Sequence, residues 1–319
     1  MMKKTILIGG SVAYDRLMTY KGSFKDVILP ENLEHLSISF FVGEEKNYFG
    51  GCACNVAYSL KLLGENPLIF GVAGDDFDSY EKWLKKNEIS SECIEIDETN
   101  KTATAYILTD AGQRQIAMFA PGAMSNAEKA MHFSAVEKSQ GGSGQIAFAI
   151  LGAEAPFRMM KFAEECLRCG IKYFFDPGQA MSGLNKEQIE FLIKNSSGVF
   201  ANEYEAGLMS EITGLSLMQI ANDTGFFVRT LAEKGAEVYE NDNMHHVKAI
   251  KADVDLDVTG CGDSFRAGFL HGLMAGKSLK RCCEIGATVA SFVIAKQGTQ
   301  RHSFSYEEFV LRLSEHYGE

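Results

Sequence analysis

The chain has 319 residues, room for one large α/β domain or two modest ones, and its 46% apolar and 23% charged content is that of an ordinary water-soluble globular protein. A net charge of −11 argues against nucleic acid or an anionic membrane surface as the main partner, since both reward basic surfaces; one local nest of backbone N–H groups can still bind a phosphate. No apolar run approaches the roughly 18–20 residues needed to span a bilayer, and without an export signal the eight cysteines read as free thiols of a cytoplasmic protein.

In chain order, the start MMKKTILIGGSVAYD has a three-residue apolar run before Gly9-Gly10, too short for a signal-peptide core, and reads as a first buried strand. Segments 16–50 and 100–121 alternate, with β-branched or aromatic residues and no intervening helix, which predicts a small sheet over the main domain as a lid. FGGCACNVAYSLKLLG (49–64) is a Gly-Gly turn into a helix whose inward face is Ala53, Ala57, Leu60 and Leu63 or Gly64. SQGGSGQ (139–145) is a loop, and QIAFAILGAE (145–154) a strand followed by an amphipathic stretch from Pro156 to Cys169. GIKYFFDPG (170–178) is a second strand, 197–213 a strand, turn and helix, and 225–241 a strand, a Gly-containing turn and a hairpin strand. Two helical patterns fill 263–295, one with Phe265, Phe269, Leu270, Leu273 and Met274 on a face, the other with Ile285, Val289, Phe292 and Val293. Strands separated by helices predict a mostly parallel sheet covered on both faces, with ligands beyond the carboxyl ends of the strands. Asp15, Asp176 and Asn202 each follow a predicted strand.

Two motifs are decoys. GLMAGKS (272–278) has three residues between its glycines where a phosphate-binding P-loop needs four, and Cys166-x-x-Cys169 lacks the second pair that structural zinc requires. His245 and His246 are adjacent and read as edge-strand residues.

The strongest local signal is DVTGCGDSFRAGF (257–269). Gly260 and Gly262 allow a tight turn into a helix whose first N–H groups lack intrahelical partners, and those donors form an anion site. Asp263 either caps that helix or acts on what the anion site holds. Ser264, Gly268 and Gly272 leave one helix face bare, for close approach by another helix or by a ligand. Asn55, in the first turn after Gly51, either offers an amide to a ligand hydroxyl or belongs to a structural hinge. Asn202 and Glu205, three apart at a helix start, either orient water around Mg²⁺ or form a capping box.

Together and in this order, GGCACNVAYSLKLLG, Asn202-x-x-Glu205 and DVTGCGDSFRAGF resemble the ribokinase (PfkB) family over essentially the whole chain. GSVAYDRLM, FGGCACNVAY, FAPGAM, FDPGQ and Arg266 look most like its bacterial adenosine kinases. The resemblance implies an α/β ribokinase-like three-layer sandwich, residues 1–319 forming one kinase domain with a mostly parallel central sheet and the small β lid. It implies transfer of phosphate from ATP to the 5′-hydroxyl of adenosine, with Mg²⁺. Asp263 would be the base and Gly260, Cys261 and Gly262 the anion hole. Asp15 and Asn55 would hold the ribose with Gly51 at the lid hinge, Thr230 and Gly235 would flank ATP, and Asn202 and Glu205 would organise Mg²⁺, through water. Asp257 and Thr259 resemble positions near a monovalent-cation site in some relatives, leaving a K⁺ effect open. Two departures stand out: Ala232 replaces the first glycine of a Thr-x-Gly-x-x-Gly nucleotide turn, and Cys261 the usual alanine of the anion hole. The expected partners are a nucleoside and ATP, in a monomer or homodimer. The same chemistry on another nucleoside, ribose or a sugar acid is the alternative. The intact Asp263 and Asn202-x-x-Glu205 argue against a non-catalytic nucleotide-binding or regulatory protein on this scaffold, and a Rossmann dehydrogenase is the poorer reading still, because no G-x-G-x-x-G follows the first strand.

Overall fold

Strand β1 (Thr5–Gly9) is buried throughout, and its side chains divide between two cores. Ile6 and Ile8 join one cluster with Ala53, Ala57, Phe265 and Phe269, whereas Leu7 joins another with Met159, Phe162, Ile189, Met209 and Ile220. That alternation is the period-2 geometry of a strand covered on both faces. The computed structural model describes residues 4–29, 37–112, 114–126, 133, 136, 145–251 and 257–318. Residues 30–36 and 113 of the expected lid, and 139–144 of the expected loop, lie outside the described residues.

The large sheet has nine strands. β4 (Asn66–Gly74) and β5 (Ile94–Asp97) lie to one side of β1. On the other side follow β8 (Ile146–Leu151), β9 (Tyr173–Phe175), β10 (Val199–Asn202), β11 (Phe227–Thr230), β12 (Ala236–Glu240) and β13 (Asn243–Val247). Pairing is parallel from β5 to β11 and antiparallel for the last hairpin. His245 and His246 lie on β13, the edge strand, as expected. One face is covered by α1 (Cys52–Leu62), α2 (Asp78–Lys86), α7 (Cys261–Met274) and α8 (Leu279–Val293). The other is covered by α3 (Pro156–Arg168), α4 (Lys186–Lys194), α5 (Glu203–Thr213) and α6 (Leu217–Thr224). A last helix, α9 (Tyr306–Tyr317), packs on α8. These are the three layers expected. No helix among the described residues is long and apolar enough to cross a membrane.

A second sheet of four strands has the order β3 (Val42–Gly50), β2 (Ala13–Tyr20), β6 (Ala103–Thr109), β7 (Gln115–Ala120), with β2 and β6 parallel. Its segments are those expected for the small sheet. It begins earlier than the alternation suggested, however, so Asp15 sits on β2, opposite Tyr48 of β3 and Ala105 of β6. The bare face of α7 is explained by helix packing. A Cβ on Gly268 would lie 2.8 Å from Gly286 Cα, one on Gly272 2.8 Å from Cys282 Sγ, and Ser264 hydrogen-bonds Ser59 of α1. The cysteines are free thiols, with Cys166 in the core.

Candidate active site

The carboxyl ends of the parallel strands share one edge of the large sheet, and there the predicted residues gather. Gly10 and Ser11 leave β1, Asp176 follows β9, Asn202 ends β10 and Thr230 ends β11. Gly51, the N-cap of α1, has φ +86°, and a side chain there would overlap the Ser11 carbonyl. Only glycine brings the α1 N-terminus this close to the turn after β1. Beside it, a Cβ on Gly50 would collide with the Asp15 carboxyl group.

Asp15 is buried and accepts a hydrogen bond from Thr299 Oγ1 at 2.9 Å. Burial lifts its carboxyl to about 6, against the Thr299 hydrogen bond and helped by the nearby Asp257 charge. Asp263 stands in the first turn of α7, yet it does not cap it. Gly260, at φ +80°, is the N-cap and receives no side-chain bond, while the Asp263 carboxylate accepts from Asn55 Nδ2 at 2.8 Å. Burial pushes Asp263 up to about 7. The Asn55 hydrogen bond and Arg266 oppose that rise, and the Asp176 and Asp15 charges add to it. A carboxylate poised near neutrality beside a glycine turn at a helix start suits a general base.

Asn55 is itself engaged at both ends, because its Oδ1 accepts from Gln300 Nε2 at 3.1 Å. Gly260 belongs to the same cluster: a Cβ there would lie 3.1 Å from Thr299 and 3.9 Å from Asn55 Nδ2. Of the three glycine-turn residues, Cys261 turns its N–H back to the Val258 carbonyl at 3.2 Å, closing the turn. Cys52, at the start of α1, is packed beneath Gly10 and Gly152, and burial holds its thiol up at about 12.

Behind Asp263, Arg266 makes a two-pronged ion pair with Asp176, at 3.0 and 2.9 Å, both residues buried. Its charge also reaches Glu205, whose carboxyl burial raises. Asn202 and Glu205 form a complete capping box: Asn202 Oδ1 accepts from the Glu205 N–H, and Glu205 accepts from both the Asn202 N–H and Nδ2, each at 2.8 Å. Asn202 pairs in register with Thr230, so the two lie side by side on neighbouring strands. Gly235 follows at φ +99°, where a side chain would overlap the Val247 carbonyl, so its glycine is required by the β12–β13 hairpin. Ala232 takes φ +50°, a left-handed conformation unusual for a residue with a Cβ. Asp257 accepts from the Thr259 N–H and hydroxyl and from the Gly298 N–H.

The structure therefore gathers Asp15, Gly51, Asn55, Gly260 and Asp263 around the Asn55–Asp263 hydrogen bond and the Thr299–Gln300 pair, with Asn202, Glu205 and Thr230 along the same sheet edge. It adds residues the sequence did not reveal: Thr299 and Gln300, from the loop after α8, and Tyr80 and Trp83 of α2, which hold Gln300. Only the lone tryptophan of the chain offered a signal, and nothing in its spacing tied it to the site.

A family model described as pfkB family carbohydrate kinase matches residues 27–304. The chain is 29% identical to a nucleoside kinase of Methanocaldococcus jannaschii, over 90% of this chain and 92% of that protein. It resembles the nucleoside kinase of Burkholderia thailandensis in complex with inosine, with 30% identity, a TM-score of 0.87 and coverage of 98% of both chains. Against the ligand-free form of that protein the identity is 32% and the TM-score 0.80, covering 97% of this chain and 99% of the other.

Proposed function

The chain belongs to the pfkB family of carbohydrate kinases and is a phosphotransferase acting on an alcohol group, and from that premise we propose that it transfers the γ-phosphoryl group of ATP to the 5′-hydroxyl of a purine nucleoside, adenosine foremost. The observation that carries this reading is the Asp263–Asn55 contact beside buried Asp15, at a glycine turn that opens a helix. In the proposed reaction the 5′-hydroxyl loses its proton to Asp263 as its oxygen attacks the γ-phosphorus; the bond to the β,γ-bridging oxygen breaks and ADP leaves. Gly260, Cys261 and Gly262 form the anion hole at the positive end of the α7 dipole, where phosphoryl transfer gains most from fixed electrostatics. The Gly262 N–H is the principal donor, since Cys261 already spends its own on Val258. Asp15 and the second Nδ2 hydrogen of Asn55 bind ribose hydroxyls. Thr230 and Gly235 flank the nucleotide.

Among the described residues no group of three or more His, Cys, Asp or Glu side chains could hold a metal ion directly. Glu205 nevertheless presents a buried carboxylate with spare lone pairs, and Asn202 an amide oxygen, an all-oxygen set that fits a hydrated Mg²⁺ carried by ATP. When bound, the ion would offset charge on the transferring phosphates. The four-stranded sheet is read as a lid that excludes water from the cleft, the whole chain forming one kinase domain. The better match to the inosine-bound than to the ligand-free neighbour supports that reading.

Inosine is the second reading of the acceptor, favoured by the neighbour that holds it. One coupled assay of ADP release across adenosine, inosine, other nucleosides, ribose and sugar acids decides. A purine nucleoside should give the highest kcat/KM; ribose or a sugar acid ahead of every nucleoside would overturn the acceptor while leaving the kinase chemistry intact.

A further inference from the structure

We propose that Trp83 and Gln300 are positioning residues that fix which way the Asn55 amide faces, and thereby keep a hydrogen-bond donor on the base Asp263. The inference rests on the reading of Asp263 as general base. Its geometry is a chain of four side chains: Trp83 Nε1 donates to Gln300 Oε1 at 2.9 Å, Gln300 Nε2 to Asn55 Oδ1 at 3.1 Å, and Asn55 Nδ2 to Asp263 Oδ2 at 2.8 Å.

The direction of that chain follows from chemistry. An indole nitrogen can only donate, so the Gln300 atom facing Trp83 must be its carbonyl oxygen. The Gln300 NH₂ group then faces Asn55, which must answer with Oδ1 and so aims its own NH₂ at Asp263. A side branch enforces the same sense, since Gln300 Nε2 also donates to the Tyr80 hydroxyl at 2.6 Å and that hydroxyl donates to the Gly50 carbonyl at 2.6 Å. An isolated Asn could turn its oxygen toward Asp263, and that arrangement would require the carboxyl to be protonated. Trp83 and Gln300 forbid it from two residues away.

Gln300 is 2% exposed and holds φ +56°, left-handed backbone in a residue with a Cβ, the kind of local strain that gathers at functional sites. The charged and titratable groups around Asp263 are Cys52 and Cys54 from α1, Asp15 from β2, Asp176 beyond β9 and Arg266 from its own helix. Asp15, through Thr299, and Cys54, through Tyr80, border the same side, but the side-chain hydrogen bond that the Asp263 carboxylate receives comes through Asn55 from the Trp83–Gln300 chain.

The test is the pH profile of kcat/KM for Gln300→Met and Trp83→Phe, with adenosine or whichever acceptor ranks first in the assay above. Both are expected to move the acid limb upward by about one pH unit, the scale of losing one hydrogen bond to a charged group. The rate loss should be roughly tenfold below neutrality and shrink toward parity at alkaline pH. A merely structural role would lower the rate by one factor at every pH. Should buried Gln300→Met fail to fold, Trp83→Phe carries the measurement, because phenylalanine keeps the stacking on Phe49 and Tyr58. Folded variants whose acid limbs coincide with the parent's, while Asp263→Asn is inactive, would overturn the inference alone. Turnover surviving in Asp263→Asn would overturn the base assignment beneath it.

Discussion

Replacing Asp263 by Asn separates what the residue does for the reaction from what it costs the fold. In the native protein burial raises this carboxyl from 3.8 to about 7, so between those values the folded state holds a proton that the unfolded chain has released. Stability must therefore fall as pH rises across that window, the reverse of the behaviour of a carboxylate stabilised by an ion pair. At ~1.4 kcal/mol per pH unit the displacement bounds the cost at about 4 kcal/mol, and the residue's partial exposure reduces it to about 2. Asn keeps the shape and can turn its carbonyl toward Asn55 Nδ2, so the variant should be more stable at pH 8 by about that amount, some 3–6 °C in melting temperature. The advantage should shrink as pH falls through 7 and vanish near pH 4. Turnover should drop by roughly 10²–10⁴-fold, the usual worth of general-base catalysis. Chemical denaturation at pH 8 and pH 5, beside an ADP-release assay, measures both. A stability gap that is absent at pH 8, or equal at the two pH values, would refute the desolvation argument whatever happens to the rate.

Arg266→Met should destabilise the protein by about 3–5 kcal/mol, because it strands the buried Asp176 carboxylate; a denaturant midpoint close to that of the parent would contradict this. Gly50→Ala should raise KM for the nucleoside at least roughly tenfold with a smaller change in kcat, since the new methyl group must displace the Asp15 carboxyl group. Unchanged KM would mean that Asp15 does not bind the acceptor. Ala232→Gly should leave stability within about 1 kcal/mol of the parent, relief of left-handed strain offsetting the gain in unfolded-chain entropy, whereas Ala232→Val should lose about 1–2 kcal/mol. Equal melting temperatures for the two variants would show that the turn is free to reshape.

Local patterns in the sequence carried the glycine turn before Asp263, the Asn202–Glu205 cap, the alternation of strands and helices and the segments of the small sheet. Each depends on neighbours within about a dozen residues, where periodicity and capping rules operate. Asp15 was legible as a functional residue but assigned to the end of a large-sheet strand, because the three residues between β1 and β2 hide the passage from one sheet to the other. The bare face of α7 could not be assigned to a ligand or a helix until Gly286 and Cys282 were found against it. Gln300 was invisible for a plainer reason. It lies in a loop with no period and acts 245 positions away from Asn55, a pairing that only the folded chain creates.

That last separation has a consequence for how the protein comes into being. The segment 298–302 ties down Asp257 through the Gly298 N–H, Asp15 through Thr299, Asn55 through Gln300 and Ser59 through His302. The Asp15 carboxylate and the Asn55 amide are thus secured by residues that leave the ribosome well after the last described strand, which ends at Val247. At ordinary rates of synthesis the large sheet has seconds to assemble before that segment exists. A nascent polypeptide can then own all its described strands while Asp15 and Asn55 still lack these partners, and the 298–302 loop is the clasp that fixes them.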